Sequence, residues 1–266
     1  MACVMTGLDL LTLPVPFRMQ PGLRRLPAGD PQLVPLQAGS RLWAEKQAVF
    51  EAGRSRFMRP GFDPGPALEA IAGRLPGHGA GLAPELAFEQ DFAVLDGADG
   101  TLPWLAVCVP SHWAPEEKIG LDFATLHGPV ADNAALVAAT RGLVQLATGG
   151  ECWERWVWTV SPSPRYDQHP GRHPREPWPE AAEPAEFAAR CWWRTERQSF
   201  FPVGRGTRQA VFAIHVQLAP LTQAVADPLR ARRLHDSLAS MSPAVLAYKG
   251  LAAAQPRLLQ WLARIS

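Results

Sequence analysis

The spacing of apolar residues changes period several times along the chain. Residues 14–39 hold no sustained period, are rich in Pro and Gly, and read as an irregular lead-in. Helical spacing then predicts a helix from Arg41 to about Gly53, with Leu42, Ala48 and Val49 among its apolar positions and Ser40 as its cap. A second short helix is predicted from Pro66 to Arg74, and His78 in the loop beyond is expected to be solvated. From Glu89 the chain turns β-prone. Glu89–Leu95 and Trp104–Val109 predict a hairpin across the turn-rich link from Asp96 to Gly100. Pro115 to Lys118 resembles a first helical turn, and Asp132 is placed to cap a helix from Asn133 to about Ala147, ended by Gly149 and Gly150.

Three more strands are predicted at Cys152–Val160, Arg190–Phe201 and Ala210–Leu218. The Pro- and charge-rich stretch Ser161–Pro184 between the first two reads as a surface loop. The tail is helical, with cap-plus-proline starts at Asp227-Pro228 and Ser242-Pro243 and an amphipathic end, Pro256–Ile265. This order predicts one α+β domain over residues 1–266, with a five-stranded antiparallel sheet flanked by helices. PAS-like folds share that order with other α+β folds.

Composition narrows the classes. With 26 Lys+Arg against 25 Asp+Glu the net charge is +1, which disfavours a general nucleic-acid binder. No apolar run approaches the roughly 20 residues of a membrane helix. The start lacks a basic region before its short apolar stretch, so a cytoplasmic protein is expected. The four cysteines (Cys3, Cys108, Cys152 and Cys191) form no CxxC pair, which argues against zinc knuckles and cysteine-ligated clusters and for inert thiols. Residues 181–266 carry 11 basic and 5 acidic side chains, a bias that suits an anionic ligand or an ordinary solvated surface.

No GxSxG, P-loop, HExxH or GxGxxG motif is present, so serine-hydrolase, phosphoryl-transfer and nicotinamide chemistry lack their usual local signals. Three stretches carry candidate chemistry. The first runs from Pro110 to Gly120 and on through His127, which precedes a Gly-Pro turn. A histidine held there outside regular structure is either a hydrogen-bonded structural residue or a ligand for a haem iron. His112 is the competing ligand, and Trp113 could flank a flat ligand. The second is the strand from Cys191 to Gln198. Alternation puts Trp192, Arg194, Glu196 and Gln198 on one face and Trp193, Thr195 and Arg197 on the other. An arginine fork there suits a carboxylate, and an Arg194–Glu196 pair on a solvated face is the plainer alternative. The third is the strand from Ala210 to Leu218, where His215 lies opposite the apolar face of Phe212, Ile214, Val216 and Leu218.

Taken in order, SHWAPEEKIG, LHGPV, WWRTERQSFFP, AVFAIHV and AYKGL resemble the motifs of the haem-dependent oxidative N-demethylase alpha-subunit-like family; the N-terminal PFRMQPGLRRL and the strand from Arg155 to Trp158 also fit. Ala131, His215 and Val157 stand where that family commonly has Pro, Arg and Asn. The resemblance implies a PAS-like domain binding haem b. It also implies a haem-dependent monooxygenase that demethylates a small secondary amine with O2, with electrons from a separate flavin and iron–sulfur reductase component. On this reading His127 is the proximal ligand, and Arg197, then Arg194 and Lys118, face the propionates. Trp113 and His215 stand beside the cofactor, with His112 and His215 as alternative axial ligands, and Glu196 holds the amine cation or relays a proton. A non-catalytic haem- or small-ligand-binding sensor or interaction module is the alternative the fold allows, and a haem-free structural protein is a third.

Overall fold

The computed structural model describes residues 7–265 except Pro21, Ala28, Ala80, Pro129, Val130, Asp132, Asn133 and Arg205. Seven strands form one sheet: β1 (Arg24–Arg25), β2 (Arg56–Met58), β3 (Asp91–Asp96), β4 (Trp104–Ala106), β5 (Trp153–Ser161), β6 (Trp192–Pro202) and β7 (Gln209–Pro220). Their order is β1-β5-β6-β7-β3-β4-β2, and every pairing is antiparallel. The α+β class and the antiparallel sheet agree with expectation. The five-stranded PAS-like sheet does not: β1 and β2 add a short strand at each edge. Both are too short to show an alternating apolar pattern, and their side chains are largely exposed.

Local chemistry accounts for most elements. The Ser40 hydroxyl accepts a hydrogen bond from the Trp43 N–H (3.1 Å) and starts the helix Arg41–Glu51. Asp227 and Ser242 cap the helices Pro228–Ala239 and Pro243–Tyr248 in the same way. The helix expected from Asn133 occurs as two pieces, Ala134–Ala138 and Thr140–Ala147, and its expected cap Asp132 lies outside the described residues. In the β3–β4 link, the Gly100 N–H returns to the Asp96 carbonyl (2.8 Å). Gly97 is required there because a Cβ would sit 2.6 Å from the Arg208 carbonyl oxygen and 2.4 Å from the Thr148 hydroxyl.

Alternation along the long strands gives the sheet two unlike faces. The back face carries Trp158, Val160 and Trp193 under the tail helices, with Leu234, Leu238, Leu258 and Leu262 packed on them. It continues through Phe92, Val94, Phe201, Val211 and Ala213 under the helix Gly65–Gly73. The front face carries Ala93, Leu95, Phe200 and Phe212 under Val144 and Ala147. It also carries Ile214 and Val216 against Leu42 and Val49. Phe200 and Phe212 are cross-strand partners stacked at 4.6 Å.

Two loop expectations need correction. The stretch Ser161–Pro184 is not all surface: Asp167, Gln168 and His169 are buried, and the Gln168 N–H donates to the Pro110 carbonyl (3.0 Å). Arg172 pairs with Asp167 at 2.8 Å and explains why charge tolerates that depth. His78 is half-buried, with its Nε2 on the Ala87 carbonyl (2.8 Å) and its ring against Phe88, rather than solvated. Among the described residues no helix is long and apolar enough to cross a membrane.

Candidate functional site

A polar network occupies the middle of the front face. The β5–β6 register sets Arg155 opposite Gln198, Val157 opposite Glu196 and Thr159 opposite Arg194. Glu196, only 9% exposed, accepts a hydrogen bond from the Gln198 amide (2.7 Å) and a short one from the Ser111 hydroxyl. The same Ser111 oxygen accepts from Arg194 Nε (2.9 Å). Arg194 therefore meets Glu196 through a bridging hydroxyl, and both are buried, which removes the alternative of a pair on a solvated face. The rest of the Arg194 fork donates to the Arg165 and Tyr166 carbonyls at 3.0 and 2.9 Å. These bonds explain why the loop at 163–169 folds inward. Arg155 Nε donates to the Gln198 side-chain amide oxygen at 2.7 Å.

Burial and charge pull against each other here. Desolvation pushes Arg194 down to about 10, and the nearby Glu196 charge opposes it. Arg155 is lowered for the same reason, again opposed by Glu196. Lys249 is pushed down to about 8 by burial, with Glu196 opposing, and Tyr248 is raised by burial first and by Glu196 second. One carboxylate thus sits in the field of three cations, while its own hydrogen bonds come from neutral groups.

His127 ends the helix Phe123–His127 rather than standing outside regular structure. Its ring stacks on Phe123 at 4.0 Å, and its Nδ1 lies 2.8 Å from the Phe123 carbonyl oxygen. A carbonyl only accepts, so Nδ1 carries the proton and the Nε2 lone pair is the one for coordination. Burial lowers its pKa, the Phe123 bond opposes that, and the Arg155 charge lowers it further, so the ring is held neutral. The field of Arg155 therefore reaches both His127 and Glu196.

The other sequence candidates are placed as follows. Trp113 is half-buried and packs against both front-face apolar clusters. His112 is exposed, with φ +60°, and lines a cleft described below. Lys118 follows the turn Pro115–Glu117, and its ammonium makes no hydrogen bond or ion pair to a described residue. Arg197 and His215 lie on the back face. Arg197 pairs with Glu154 (2.5 Å) and donates to the Pro31 carbonyl (2.9 Å). His215 Nε2 bonds Glu89 at 2.7 Å, and its buried Nδ1 has no partner among the described residues. The structure therefore gathers Glu196 and Arg194 around Ser111, sets His127 within the field of Arg155, and separates Arg197 and His215 from them by the thickness of the sheet.

Sequence reasoning set Gln198 on the Glu196 face without giving it a role, and overlooked Arg155, Ser111 and Tyr248 as neighbours of Glu196. Arg155 was recoverable, because alternation on antiparallel neighbours puts it on the Glu196 face. Ser111 and Tyr248 carry no such periodic signal: Ser111 opens the SHWAPEEKIG motif outside any strand, and Tyr248, in AYKGL, ends the helix Pro243–Tyr248. Cys108 and Cys191 are buried free thiols; burial raises both pKa values, Cys191 to about 12, which keeps them protonated. Among the described residues no group of three or more His, Cys, Asp or Glu could hold a bare metal ion; a haem iron needs only one such ligand.

Comparison with known protein families matches residues 85–259 to the family described as haem-dependent oxidative N-demethylase, alpha subunit-like. That span is well over half of the chain and holds β3 to β7, His127, Glu196 and Lys249. The chain belongs to this family.

Proposed function

We propose that this chain is the haem b-binding, oxygen-dependent subunit of a multicomponent oxidative N-demethylase-like system acting on a small secondary amine. A separate flavin and iron–sulfur reductase supplies its electrons, since the chain has no cysteine cluster or dinucleotide motif. The single observation that carries the reading is the family match over the segment bearing both His127 and Glu196. The free thiols of Cys108, Cys152 and Cys191 suit a cytoplasmic location.

The residues present fit a haem. His127 offers a neutral imidazole whose Nδ1–H is tied to a carbonyl, the tautomer that coordinates through Nε2. Phe123 and Trp113 supply flat apolar surface close by, and Arg155 supplies a cation on the same face. When bound, haem activates O2 so that amine, oxygen, two electrons and two protons give demethylated amine, formaldehyde and water. Glu196 holds the ammonium form of the amine or moves a proton at its Oε atoms, with Ser111 and Gln198 fixing its rotamer.

Reconstitution with hemin tests the cofactor: a Soret band is expected, and His127→Ala abolishes or grossly changes it while circular dichroism stays native. An unchanged spectrum in that variant, with loss in His112→Ala or His215→Ala, removes His127 as the residue that would hold the iron. Formaldehyde release from dimethylamine with an electron donor tests turnover. Glu196→Gln is expected to slow it about 10²–10⁴-fold, the usual contribution of a positioned acid–base group. Haem binding with no formaldehyde at all favours a sensor over an enzyme.

A further inference from the structure

A second site opens at the edge of β5, next to the Glu196 network. β1 covers β5 only at Trp153 and Glu154, and beyond them a cleft of about 300 Å³ lies along the strand edge. Its lining includes His112, Thr159, Arg175, Glu176, Trp178 and Lys249. Three observations make it a cationic site. First, the exposed Arg175 guanidinium has no hydrogen bond or ion pair to a described residue. It lies against Gly250, where a Cβ would be 2.0 Å from Nη2, and Gly250 also has φ +68°. The positive φ favours glycine at this position, and its missing side chain lets the fork approach the backbone. Second, Lys249 donates to the Trp158 carbonyl at the strand edge (2.6 Å), which leaves ammonium hydrogens for another acceptor. Its field also reaches Glu196. Third, Glu176 in the lining is already engaged, accepting from the Ser163 hydroxyl (2.7 Å) and lying 3.7 Å from Arg165. The Trp178 indole, pinned to the Gly250 carbonyl (3.2 Å), closes one side.

The cleft and the carboxylate are joined by one peptide: Ser111 hydrogen-bonds Glu196, and its neighbour His112 lines the cleft. We propose that the cleft binds a small carboxylate in the Arg175 fork with Lys249 as second donor, and that this carboxylate belongs to the substrate, an N-methylated amino acid whose ammonium faces Glu196. The ammonium half rests on the function proposed above; the carboxylate half does not. A cleft cation with no partner among the described residues, and a buried anion that Ser111 links to the lining residue His112, match a zwitterion better than a bare amine.

The other source of the same chemistry is a propionate of the haem itself. Calorimetric titration with acetate, N-methylglycine and dimethylamine, on haem-free and hemin-loaded chain, separates the possibilities. Acetate and N-methylglycine are expected to bind both forms. Arg175→Gln is expected to weaken both ligands by about tenfold or more, the scale of a lost charge-assisted fork, and to leave dimethylamine unchanged. Arg175 is exposed, so the variant is expected to keep the native fold, and Lys249→Met is expected to weaken acetate as well. Acetate binding that disappears on hemin loading, with hemin affinity reduced in Arg175→Gln, identifies the occupant as a propionate and overturns the substrate assignment. No acetate binding, or binding indifferent to both substitutions, overturns the site. Intact, Arg175-dependent binding of N-methylglycine without turnover upholds the site and counts against the catalytic reading instead.

Discussion

The two faces of β6 treat charge in opposite ways. On the back face Arg197 meets Glu154 directly, and Arg24 from β1 reaches the same carboxylate. His215, cross-strand from Arg197, is likewise closed onto Glu89. On the front face, one residue away, Glu196 is held by a hydroxyl and an amide, while Arg194 spends its fork on Ser111 and two backbone carbonyls. The back face closes its structure with an arginine–carboxylate ion pair and a histidine–carboxylate hydrogen bond. The front face buries a carboxylate whose hydrogen bonds come from neutral donors, a state suited to receiving a cation. If that contrast is right, the faces respond differently to the same kind of substitution.

The largest effect is expected at Glu154. Its side chain is 1% exposed and Arg197 is 9% exposed, so Glu154→Ala leaves a buried guanidinium without its carboxylate, although Arg197 keeps the Pro31 carbonyl. Urea unfolding is expected to show a loss of about 3–5 kcal/mol, the cost of breaking a buried pair from one side. Glu196→Gln on the front face keeps its size and can keep the Ser111 contact, so about 1 kcal/mol is expected there. Equal losses at both positions would erase the contrast between the faces.

Lys249 joins the two faces: its ammonium lies 5.2 Å from the Trp158 ring of the back face and in the field of Glu196 on the front. Burial holds it at about 8, against an ordinary 10.5. Between those values the unfolded chain binds a proton that the folded chain does not, so folding stability gains with rising pH across that window. Below about 8 both states are protonated and the penalty for burying the charge is felt in full. Lys249→Met is therefore expected to abolish this contribution to the pH dependence between 8 and 10.5. Denaturant midpoints of wild type and variant measured through that window check it; a constant difference between them means that Lys249 keeps its ordinary value in the fold.

How much of this was readable beforehand follows from physical range. The long strands β5 to β7 show in sequence because each carries a sustained β-prone run, and the division of β6 into Arg194–Glu196–Gln198 and Arg197 faces follows from alternation alone. Caps at Ser40, Asp227 and Ser242 are local and were equally plain. β1 and β2 were not, because two or three residues at an edge have no period. The inward fold of Tyr166 to His169 was hidden because its cause, the Arg194 fork, lies 28 residues or more further along the chain. His127 as a helix end was hidden too: the Gly-Pro after it signals a stop, but the stacking on Phe123 that holds the ring is a tertiary outcome. Cleft formation at Arg175 depends on Gly250, 75 positions away, and no local pattern announces that approach.

The smallest expected effect is the sharpest test of the contrast. Ser111 is the one hydroxyl shared by Glu196 and Arg194, donating to the first and accepting from the second. Ser111→Ala removes both contacts, yet each partner keeps others: Glu196 keeps Gln198, and Arg194 keeps two carbonyls. The net loss is expected to be about 1 kcal/mol, one ordinary hydrogen bond after exchange with water. A double-mutant cycle gives that number a location. Ser111→Ala combined with Glu196→Gln is expected to depart from additivity by at least about 0.5 kcal/mol, since the two share a contact. Ser111→Ala combined with Glu154→Gln is expected to add within about 0.3–0.5 kcal/mol, because the sheet lies between them. Coupling in the second cycle as strong as in the first means that the two faces form one charged network, and that the front carboxylate is a structural anchor.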